Sequence, residues 1–136
     1  VAKAIEPEDL SLARLNVNGI RLFCEYLGIT FDYEVQSHMT LRLGPIEEPG
    51  DWALRISEAM GAGEYVNPPG GAGLFDESKF RAAGIRLTIQ ELVDFRYDCG
   101  PFEFTPCLSV IDACMWNGPH QIKAYLDTLA LQRQAA

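Results

Sequence analysis

Apolar residues recur at helical spacing over residues 8–27, near the period of about 3.6 residues that marks one face of a helix. Glu8 and Asp9 suit the N-terminal end of a helix, and Gly28 suits its C-terminal end. The pattern therefore predicts a helix over this range. Its inner face is expected to carry Leu12, Leu15, Ile20, Phe23 and Leu27.

Alternation of apolar and polar residues follows over residues 29–37, which predicts a strand with one buried face. Glycines and prolines then predict a loop over residues 40–50. Asp51 is expected to cap the next helix, which ends before Gly61. The inner face of that helix is expected to hold Trp52, Ile56 and Met60.

Short elements alternate further along the chain. Residues 64–66 predict a strand, residues 77–83 predict a helix that Gly84 stops, and residues 85–92 predict another strand. Residues 95–98 predict either a short strand or an irregular arm, and a loop is expected after them.

Two helices are predicted near the C-terminal end. Residues 108–117 are apolar nearly all round, which is typical of a buried helix. Pro119 then starts a last helix, because proline is well suited to the first helical position. The inner face of the last helix is expected to carry Ile122, Tyr125, Leu126 and Leu129.

Strands that alternate with helices predict a layered α/β fold, with a mostly parallel short sheet flanked by helices. The chain of 136 residues has the size of one ordinary domain, and 48% of its residues are hydrophobic, enough for a single core. We therefore expect a single α/β domain over residues 1–136.

The charge balance excludes two classes of partner. A net charge of -8 argues against a nucleic-acid footprint, which needs clustered lysine and arginine, and against binding to anionic membranes. No apolar run approaches the roughly 20 residues that span a bilayer, and residues 1–10 lack a hydrophobic signal core. We therefore expect a small-molecule ligand as partner, without nucleic acid or membrane, and a homodimer is one assembly open to the chain.

The cysteines and histidines show no spacing typical of a metal site, so neither a metal nor a cofactor is expected. Without a CxxC pair, free thiols in a reducing cytoplasm are favoured over structural disulfides. Cys107 would need a nearby base to act as a nucleophile, and the sequence names none. A small buried side chain is therefore the favoured role for it.

The stretch YVNPPGGAGLFDESKF, residues 65–80, places prolines and glycines between a predicted strand and a predicted helix. The loop is either a tight connector or a ligand cradle, in which bare backbone N–H groups approach an anion at a helix N-terminus. The glycine spacing completes neither the dinucleotide fingerprint nor the phosphate loop, and Asp76 would repel an anion. The pattern alone therefore favours the connector.

Asp112 is a charged residue in an apolar predicted helix, between Ile111 and Ala113. An unpaired carboxylate there would be costly, so it needs a partner or must face a cleft. Ser109 lies three residues earlier, on the same predicted helix face. Asp112 either makes an internal hydrogen bond that tethers a loop, or it is the carboxylate of a functional site. No histidine is placed to complete a catalytic triad with Ser109.

Polar residues also end the first two predicted strands, with Ser37 and His38 on one and Asn67 on the other. Ligands bind beyond the carboxyl ends of strands in open α/β sheets, so one cleft is expected to hold these residues and the glycine loop. A lone histidine is nevertheless more often a surface residue. Arg55 either reaches into the same cleft or only extends its charge into solvent.

Residues 55–89 and 104–118 carry spaced motifs that together resemble the WbqC-like family of bacterial proteins. That family shows a Tyr-x-Asn-Pro-x-Gly-Gly loop leading to Leu-Tyr-Asp, a Phe before a Gly-Ile pair, and later Pro-Asn-Leu-Ser-Ile-Ile-Asp. The resemblance covers about residues 10–126, and Ser37 and Arg55 fit it as well. The matching positions are Tyr65, Asn67, Pro68, Gly70, Gly71, Leu74, Asp76, Phe80, Gly84, Ile85, Pro106, Leu108, Ser109, Ile111 and Asp112.

The chain departs from the family pattern at two positions and at its front. Phe75 stands where the family has a tyrosine, and Cys107 stands where it has an asparagine. Both departures remove polar groups from the expected site, which predicts a shifted substrate or lost activity. Family members typically begin with a half that carries a His-Gln-Pro and aromatic motif, and we expect that half to be absent here.

The resemblance implies a cytoplasmic α/β transferase that moves glycine or another aminoacyl group to a sugar, in surface polysaccharide (O-antigen) biosynthesis. It also shifts the balance for the glycine loop towards a ligand cradle. The catalytic residues it implies are Asp112 and Ser37. The residues expected to bind the substrate (a sugar, an amino acid or a nucleotide-activated donor) are Asn67, Gly70, Gly71, Arg55, Ser109 and His38.

Two other functions stay open. The chain is alternatively a non-catalytic module that binds a small molecule or a protein partner, which the departures at Phe75 and Cys107 favour. A remnant of the fold without a ligand would show the glycine loop packed shut. An enzyme requires Asp112 to face a cleft, whereas a module can bury it.

Overall fold

The structure, a computed structural model, describes residues 11–91 and 94–134, and side chains only as far as residue 130. Helix and strand elements both occur, which confirms the α/β class. The elements in chain order are α1 (Leu12–Leu27), α2 (Asp51–Ala59), β1 (Glu64–Asn67), α3 (Glu77–Ala82), β2 (Arg86–Ile89), α4 (Val110–Trp116) and α5 (Pro119–Gln134), with short 3-10 helices at Gln36–His38 and Pro69–Leu74.

The described residues group into two compact units. One unit lies within residues 1–33 and 94–136, and the other lies within residues 34–93. Each unit has its own buried residues and its own hydrogen bonds. The single domain expected from chain length stays a prediction.

The 34–93 unit is built on a parallel pair of strands. β1 and β2 pair with Tyr65 opposite Leu87, and α3 lies between them along the chain, as a parallel connection requires. The core of this unit is centred on Leu54, Phe80 and Ile85. Tyr65, Phe75 and Leu87 are half-buried against that core, so the glycine loop joins two segments whose aromatic rings pack together.

Helix α2 buries a different face from the one its hydrophobic period predicts. Trp52 is 52% exposed and Met60 is also exposed, so the predicted stripe through Ile56 is wrong at both of its ends. The buried face carries Asp51, Leu54 and Ser57, which recur every three residues. The buried face of α2 therefore includes the Asp51 carboxylate as well as an apolar side chain.

The side chain of Asp51 does not cap its own helix, contrary to the prediction. Asp51 is the first residue of α2 and is only 3% exposed. Its Oδ2 accepts hydrogen bonds from the backbone N–H groups of Glu47 at 2.9 Å and Glu48 at 3.1 Å. Its Oδ1 accepts one from Lys79 Nζ at 2.9 Å. The carboxylate therefore joins the loop before α2 to helix α3.

The strand predicted over residues 29–37 does not form. Residues 29–35 are irregular, and residues 36–38 form a 3-10 turn. The apolar alternation instead stacks the rings of Phe31 and Tyr33, with centroids 4.9 Å apart. In the described residues the sheet contains only β1 and β2, so this segment has no partner to complete its backbone hydrogen bonds.

In the other unit α1 packs against α5, and Leu27 and Ile122 are buried. Ser11 caps α1 by accepting a hydrogen bond from the Arg14 N–H at 3.4 Å. Gly28 ends the helix in the left-handed conformation, as predicted, with φ at 66°. Glu8 and Asp9, expected at the start of this helix, lie outside the described residues. Two residues of the predicted inner face are exposed, namely Leu12 and Ile20.

Helix α4 is shorter and more exposed than the buried helix predicted over residues 108–117. It begins at Val110 and ends at Trp116, and Met115 on it is 75% exposed. The segment 95–98 before it forms the irregular arm that was one of the two predictions. Pro119 begins α5 as expected, and its predicted inner residues are buried or half-buried.

Protonation of Asp51 is predicted to weaken the 34–93 unit at low pH. The pKa of Asp51 is lowered from 3.8 to about 2, first by the hydrogen bond from Lys79 and then by the N–H groups of Glu47 and Glu48. Because the folded pKa lies below the unfolded one, this stabilisation is present above about pH 4 and is lost as the pH falls through about 2. Urea midpoints across this range should fall more steeply for the wild type than for Asp51→Asn.

The matched test of the ion pair itself is Lys79→Met against Lys123→Met. Lys79→Met leaves a buried carboxylate without its cation, which is costly, whereas Lys123 pairs at 2.7 Å with an exposed Asp127. The melting temperature is expected to fall clearly for the first variant and little for the second. Equal losses would show that Asp51 does not depend on its partner.

Candidate functional site

The end of β1 is closed by a side-chain network around Asn67. Tyr65 donates its hydroxyl to Asn67 Oδ1 at 3.1 Å, and Asn67 Nδ2 donates to the Pro68 carbonyl at 2.7 Å. Both ends of the Asn67 amide are therefore engaged by the loop that contains it. The network fixes the direction in which the chain leaves the sheet.

The glycine loop itself is a 3-10 helix over Pro69–Leu74. A Cβ built on Gly71 would lie 2.5 Å from Asn67 Nδ2, whereas one built on Gly70 would meet nothing within 4 Å. At the far end of the loop, a Cβ on Gly50 would overlap the Leu74 carbonyl oxygen. Close packing explains the bare backbone at Gly71, which supports the connector there, but not at Gly70, and the ligand cradle stays a prediction.

Asp76 and Phe75, which follow the loop, have structural partners. Asp76 caps α3 by accepting hydrogen bonds from the Ser78 N–H at 2.8 Å and the Ser78 hydroxyl at 2.6 Å, and these bonds lower its pKa. Phe75 packs edge-on against Tyr65, with centroids 5.4 Å apart, and against Phe80 at 6.0 Å. Its position in the core accounts for an apolar ring there.

Arg55 holds the loop that precedes α2. Its Nε donates to the Pro45 carbonyl at 3.2 Å, and its guanidinium pairs with Glu58 at 2.8 Å. A Cβ on Gly44 would lie 3.3 Å from Arg55 Cδ, so the side chain lies along that loop. The contact with Pro45 could not be predicted because it joins residues ten apart through a loop, whereas Glu58 lies three residues from Arg55 on the same helix.

Ser37 and His38 are exposed on the turn Gln36–His38. The His38 N–H donates to the Val35 carbonyl at 2.8 Å, which closes the turn. Because the preceding strand does not form, the argument that placed both residues at a strand end no longer applies. Their role in binding or catalysis stays a prediction.

Asp112 lies in the first turn of α4, not in the middle of a buried helix. Ser109 is the N-cap residue, and its Oγ accepts a hydrogen bond from the Ile111 N–H at 3.2 Å. Ser109 therefore orients Asp112 through the backbone of the first turn. The carboxylate itself accepts a hydrogen bond from the Tyr97 hydroxyl, with 2.5 Å between the oxygens.

Tyr97 is the site residue that the sequence analysis missed. Its ring packs against Phe95, with centroids 5.3 Å apart, and edge-on against Phe104 at 5.1 Å. The hydrogen bond to Asp112, followed by burial, raises the pKa of Tyr97 to about 12. The hydroxyl therefore remains a donor at neutral pH. The one sequence feature that could have indicated Tyr97 is the concentration of aromatic residues in the arm before α4.

The Tyr97–Asp112 pair has the form of a positioned proton acceptor. The hydrogen bond tethers the 95–98 arm to α4, as one of the two predictions for Asp112 requires. Among the side chains that the structure describes, Tyr97 is the one donor to the carboxylate, so its second oxygen has no described hydrogen-bond partner. A half-buried carboxylate fixed on one side can accept a proton or a hydrogen bond from a ligand on the other.

Two further classes of site were searched within the described part of the chain. No group of three or more histidine, cysteine, aspartate or glutamate side chains there is arranged to hold a metal ion. No helix in the same residues combines the length and apolarity needed to cross a membrane.

The model of the WbqC-like protein family matches residues 1–124. The chain belongs to the WbqC-like protein family. Neither the curated proteins nor the solved structures contain a significant match to it. The family assignment therefore rests on the whole matched length, which spans both units.

The backbone at Cys107 in this WbqC-like chain suits an asparagine and does not explain the cysteine. Cys107 adopts a left-handed conformation with φ at 59°, the only such residue other than glycine in the described chain. Asparagine tolerates that conformation better than most residues. The asparagine that the family pattern has at this position is accounted for by the turn before α4. Cys107 is also exposed, contrary to the buried role expected for it.

The close approach at Gly71 predicts different outcomes for neighbouring glycines of this WbqC-like loop. Gly71→Ala should be less stable than Gly70→Ala by about 1 kcal/mol, because its Cβ pushes aside the Asn67 amide and disturbs the hydrogen bond to the Pro68 carbonyl. Gly70→Ala should stay within about 0.5 kcal/mol of the wild type, because its Cβ meets open space. Urea unfolding measures both. Similar losses at the two positions would contradict the packing described here.

The Tyr97–Asp112 hydrogen bond predicts a tyrosine that ionises late. In a ¹³Cζ-tyrosine NMR titration, the pKa of Tyr97 should stand near 12 in the wild type and fall towards 10 in Asp112→Asn. Because the folded pKa exceeds the unfolded one, the associated stability is complete below about pH 10 and is lost as the pH rises through about 12. Asp98→Asn, which leaves the pair intact, is the control and should change nothing for Tyr97.

Proposed function

We propose that the chain is a transferase that moves glycine or another aminoacyl group to a sugar, with Asp112 as its general base. The setting is surface polysaccharide (O-antigen) biosynthesis in the cytoplasm. The observation that carries the proposal is the hydrogen bond from Tyr97 to Asp112, which fixes one carboxylate oxygen and leaves the other available. Membership of the WbqC-like family is consistent with this role.

The proposed reaction needs only one proton acceptor on the protein. Asp112 takes the proton of a sugar hydroxyl or amine, and the freed electron pair attacks the carbonyl carbon of an activated aminoacyl donor. The bond between the carbonyl carbon and the leaving group breaks, the leaving group departs with the electron pair of that bond, and the proton on Asp112 passes to it or to solvent. Tyr97 holds the carboxylate in one orientation throughout, which reduces the cost of positioning.

The remaining expected residues enter the proposal as binding groups. Ser37 keeps the catalytic role that the resemblance implies, and His38 and Arg55 are proposed to contact the substrate. The amides of Gly70 and Gly71, with Asn67, are proposed to orient the donor. Ser109 is proposed to act indirectly, by capping the first turn of α4 and so positioning Asp112.

A non-catalytic binding module is the second candidate, and one observation favours it. Asn67 uses both ends of its amide within its own loop, and Gly71 packs against it, so this loop offers a ligand fewer polar atoms than an open cradle would. In a module, Asp112 would serve only as the tether of the 95–98 arm. Asp112→Asn is expected to abolish product formation by a transferase, whereas a binding module would keep its ligand binding in this variant.

The test combines a thermal-shift panel with a product assay. Glycine and other amino acids, ATP, coenzyme A and nucleotide-sugars are each added to the wild type, to Asp112→Asn and to Asp127→Asn. Asp127 is an exposed carboxylate on α5 and serves as the matched control. A ligand at about 100 times its dissociation constant should stabilise the fold by about 2.7 kcal/mol. Mass spectrometry then follows transfer of the aminoacyl group to sugars from an activated donor that carries a leaving group, glycyl-coenzyme A or glycyl adenylate.

The transferase predicts product with the wild type and with Asp127→Asn, and none with Asp112→Asn. Ligand shifts that survive in Asp112→Asn, without product from any protein, would replace the transferase with the binding module. No shift with any ligand of the panel would contradict a transferase that works without a further protein. Size-exclusion chromatography of the same samples determines whether the chain is a homodimer.

A further inference from the structure

Two aromatic rings form an exposed surface beside α4. Phe102 is 69% exposed, Trp116 is 41% exposed, and their centroids lie 6.2 Å apart at an interplanar angle of 61°. Gly100 supports this arrangement from behind in a left-handed conformation, where an added Cβ would lie 3.9 Å from the Trp116 ring. Exposed rings of this size are costly to leave facing water, and such patches mark binding surfaces.

The aromatic surface lies on the same side of α4 as Asp112. Trp116 follows Asp112 by four residues within one helix, so their Cβ atoms are neighbours at about 5–6 Å. The carboxylate is held by Tyr97 and shares a helix face with Trp116. Apolar faces and a fixed hydrogen-bond acceptor therefore occur side by side on one exposed surface.

We propose that Phe102 and Trp116 form a platform on which a neutral pyranose ring stacks, with one of its hydroxyls at Asp112. A pyranose has a face of C–H groups and an edge of hydroxyl donors. The C–H groups carry partial positive charge and are attracted to the negative face of an aromatic ring, and the hydroxyls donate to a carboxylate. This proposal rests on the transferase function above and names the residues that bind its acceptor.

The charges of the surface select a neutral sugar over a phosphorylated one. Asp98 accepts a hydrogen bond from the Gly100 N–H at 2.8 Å, which places a second carboxylate on the turn that leads to Phe102. A phosphate at this surface would meet Asp98 and Asp112, and the chain as a whole carries a net charge of -8. A neutral ring pays no such repulsion. The acceptor is therefore expected to carry no charge next to the reacting hydroxyl.

The experiment is ligand-observed saturation-transfer NMR on the full chain with methyl β-D-glucopyranoside and methyl β-D-galactopyranoside at millimolar concentration. Glycerol, a polyol without a ring, is the negative probe. The variants are Trp116→Ala, Phe102→Ala and Trp116→Phe, the last of which keeps an aromatic face. Trp52→Ala is the matched control, because Trp52 is an exposed tryptophan of the 34–93 unit. Phe102→Ala removes a mostly exposed ring and is expected to leave the fold intact.

The platform predicts saturation of pyranose C–H protons by the wild type, by Trp52→Ala and more weakly by Trp116→Phe. The signal should be lost with Trp116→Ala and with Phe102→Ala. No transfer to either glycoside from the wild type, or transfer that survives both alanine variants, would overturn the platform. Transfer equal for glycerol would also overturn it, since no ring would be recognised.

Asp112→Asn separates this proposal from the proposed function. Loss of glycoside binding in Asp112→Asn but not in Trp116→Ala would end the platform and leave the carboxylate site in place. Glycoside binding that needs Trp116, without any aminoacyl transfer by the wild type, would keep the platform and end the transferase.

Discussion

The buried carboxylate of Asp51 determines how the 34–93 unit is assembled. It accepts two backbone N–H groups from the loop before α2 and the ammonium of Lys79 from α3, so three segments meet at one side chain. A charge this buried is tolerated only when it is paired and hydrogen-bonded, which makes the geometry specific. The residue before it, Gly50, lies so close to the Leu74 carbonyl oxygen that an added Cβ would overlap that atom. The end of the glycine loop therefore packs directly beside the residue that forms the buried ion pair.

Local features of the fold were predictable because they depend on local backbone chemistry. Gly28 and Gly84 end their helices with positive φ, and Pro119 begins α5, as their residue types indicate. Features that depend on a distant partner were not. The alternation over residues 29–35 lacks a neighbouring strand, and α2 turns towards its core the face that carries Asp51 because Lys79 lies there. The spacing of hydrophobic residues along one helix or strand does not show where the segments that pack against it lie.

Some features of the candidate site could likewise be predicted from the sequence, and others could not. Asp112 could be singled out because a charge in an apolar run requires a partner, and the partner exists. Its identity could not be predicted, because Tyr97 lies 15 residues earlier in an arm without regular structure. Asn67 and Gly71 could be recognised as a motif, yet only the structure shows that they pack against each other. Sequence therefore locates the residues, and contacts decide which of their atoms remain available to a ligand.

The two departures from the family pattern lie at positions that packing or backbone conformation constrains. Phe75 is part of the core beside Tyr65 and Phe80, where a ring is needed for packing. Cys107 lies in a left-handed turn, where the usual asparagine is favoured for its backbone conformation. Packing therefore accounts for an aromatic ring at position 75 but not for the missing hydroxyl, and the turn accounts for asparagine at position 107 but not for cysteine. The backbone and the core determine the shape that these two positions need, and the polar groups that the departures remove are not part of that shape.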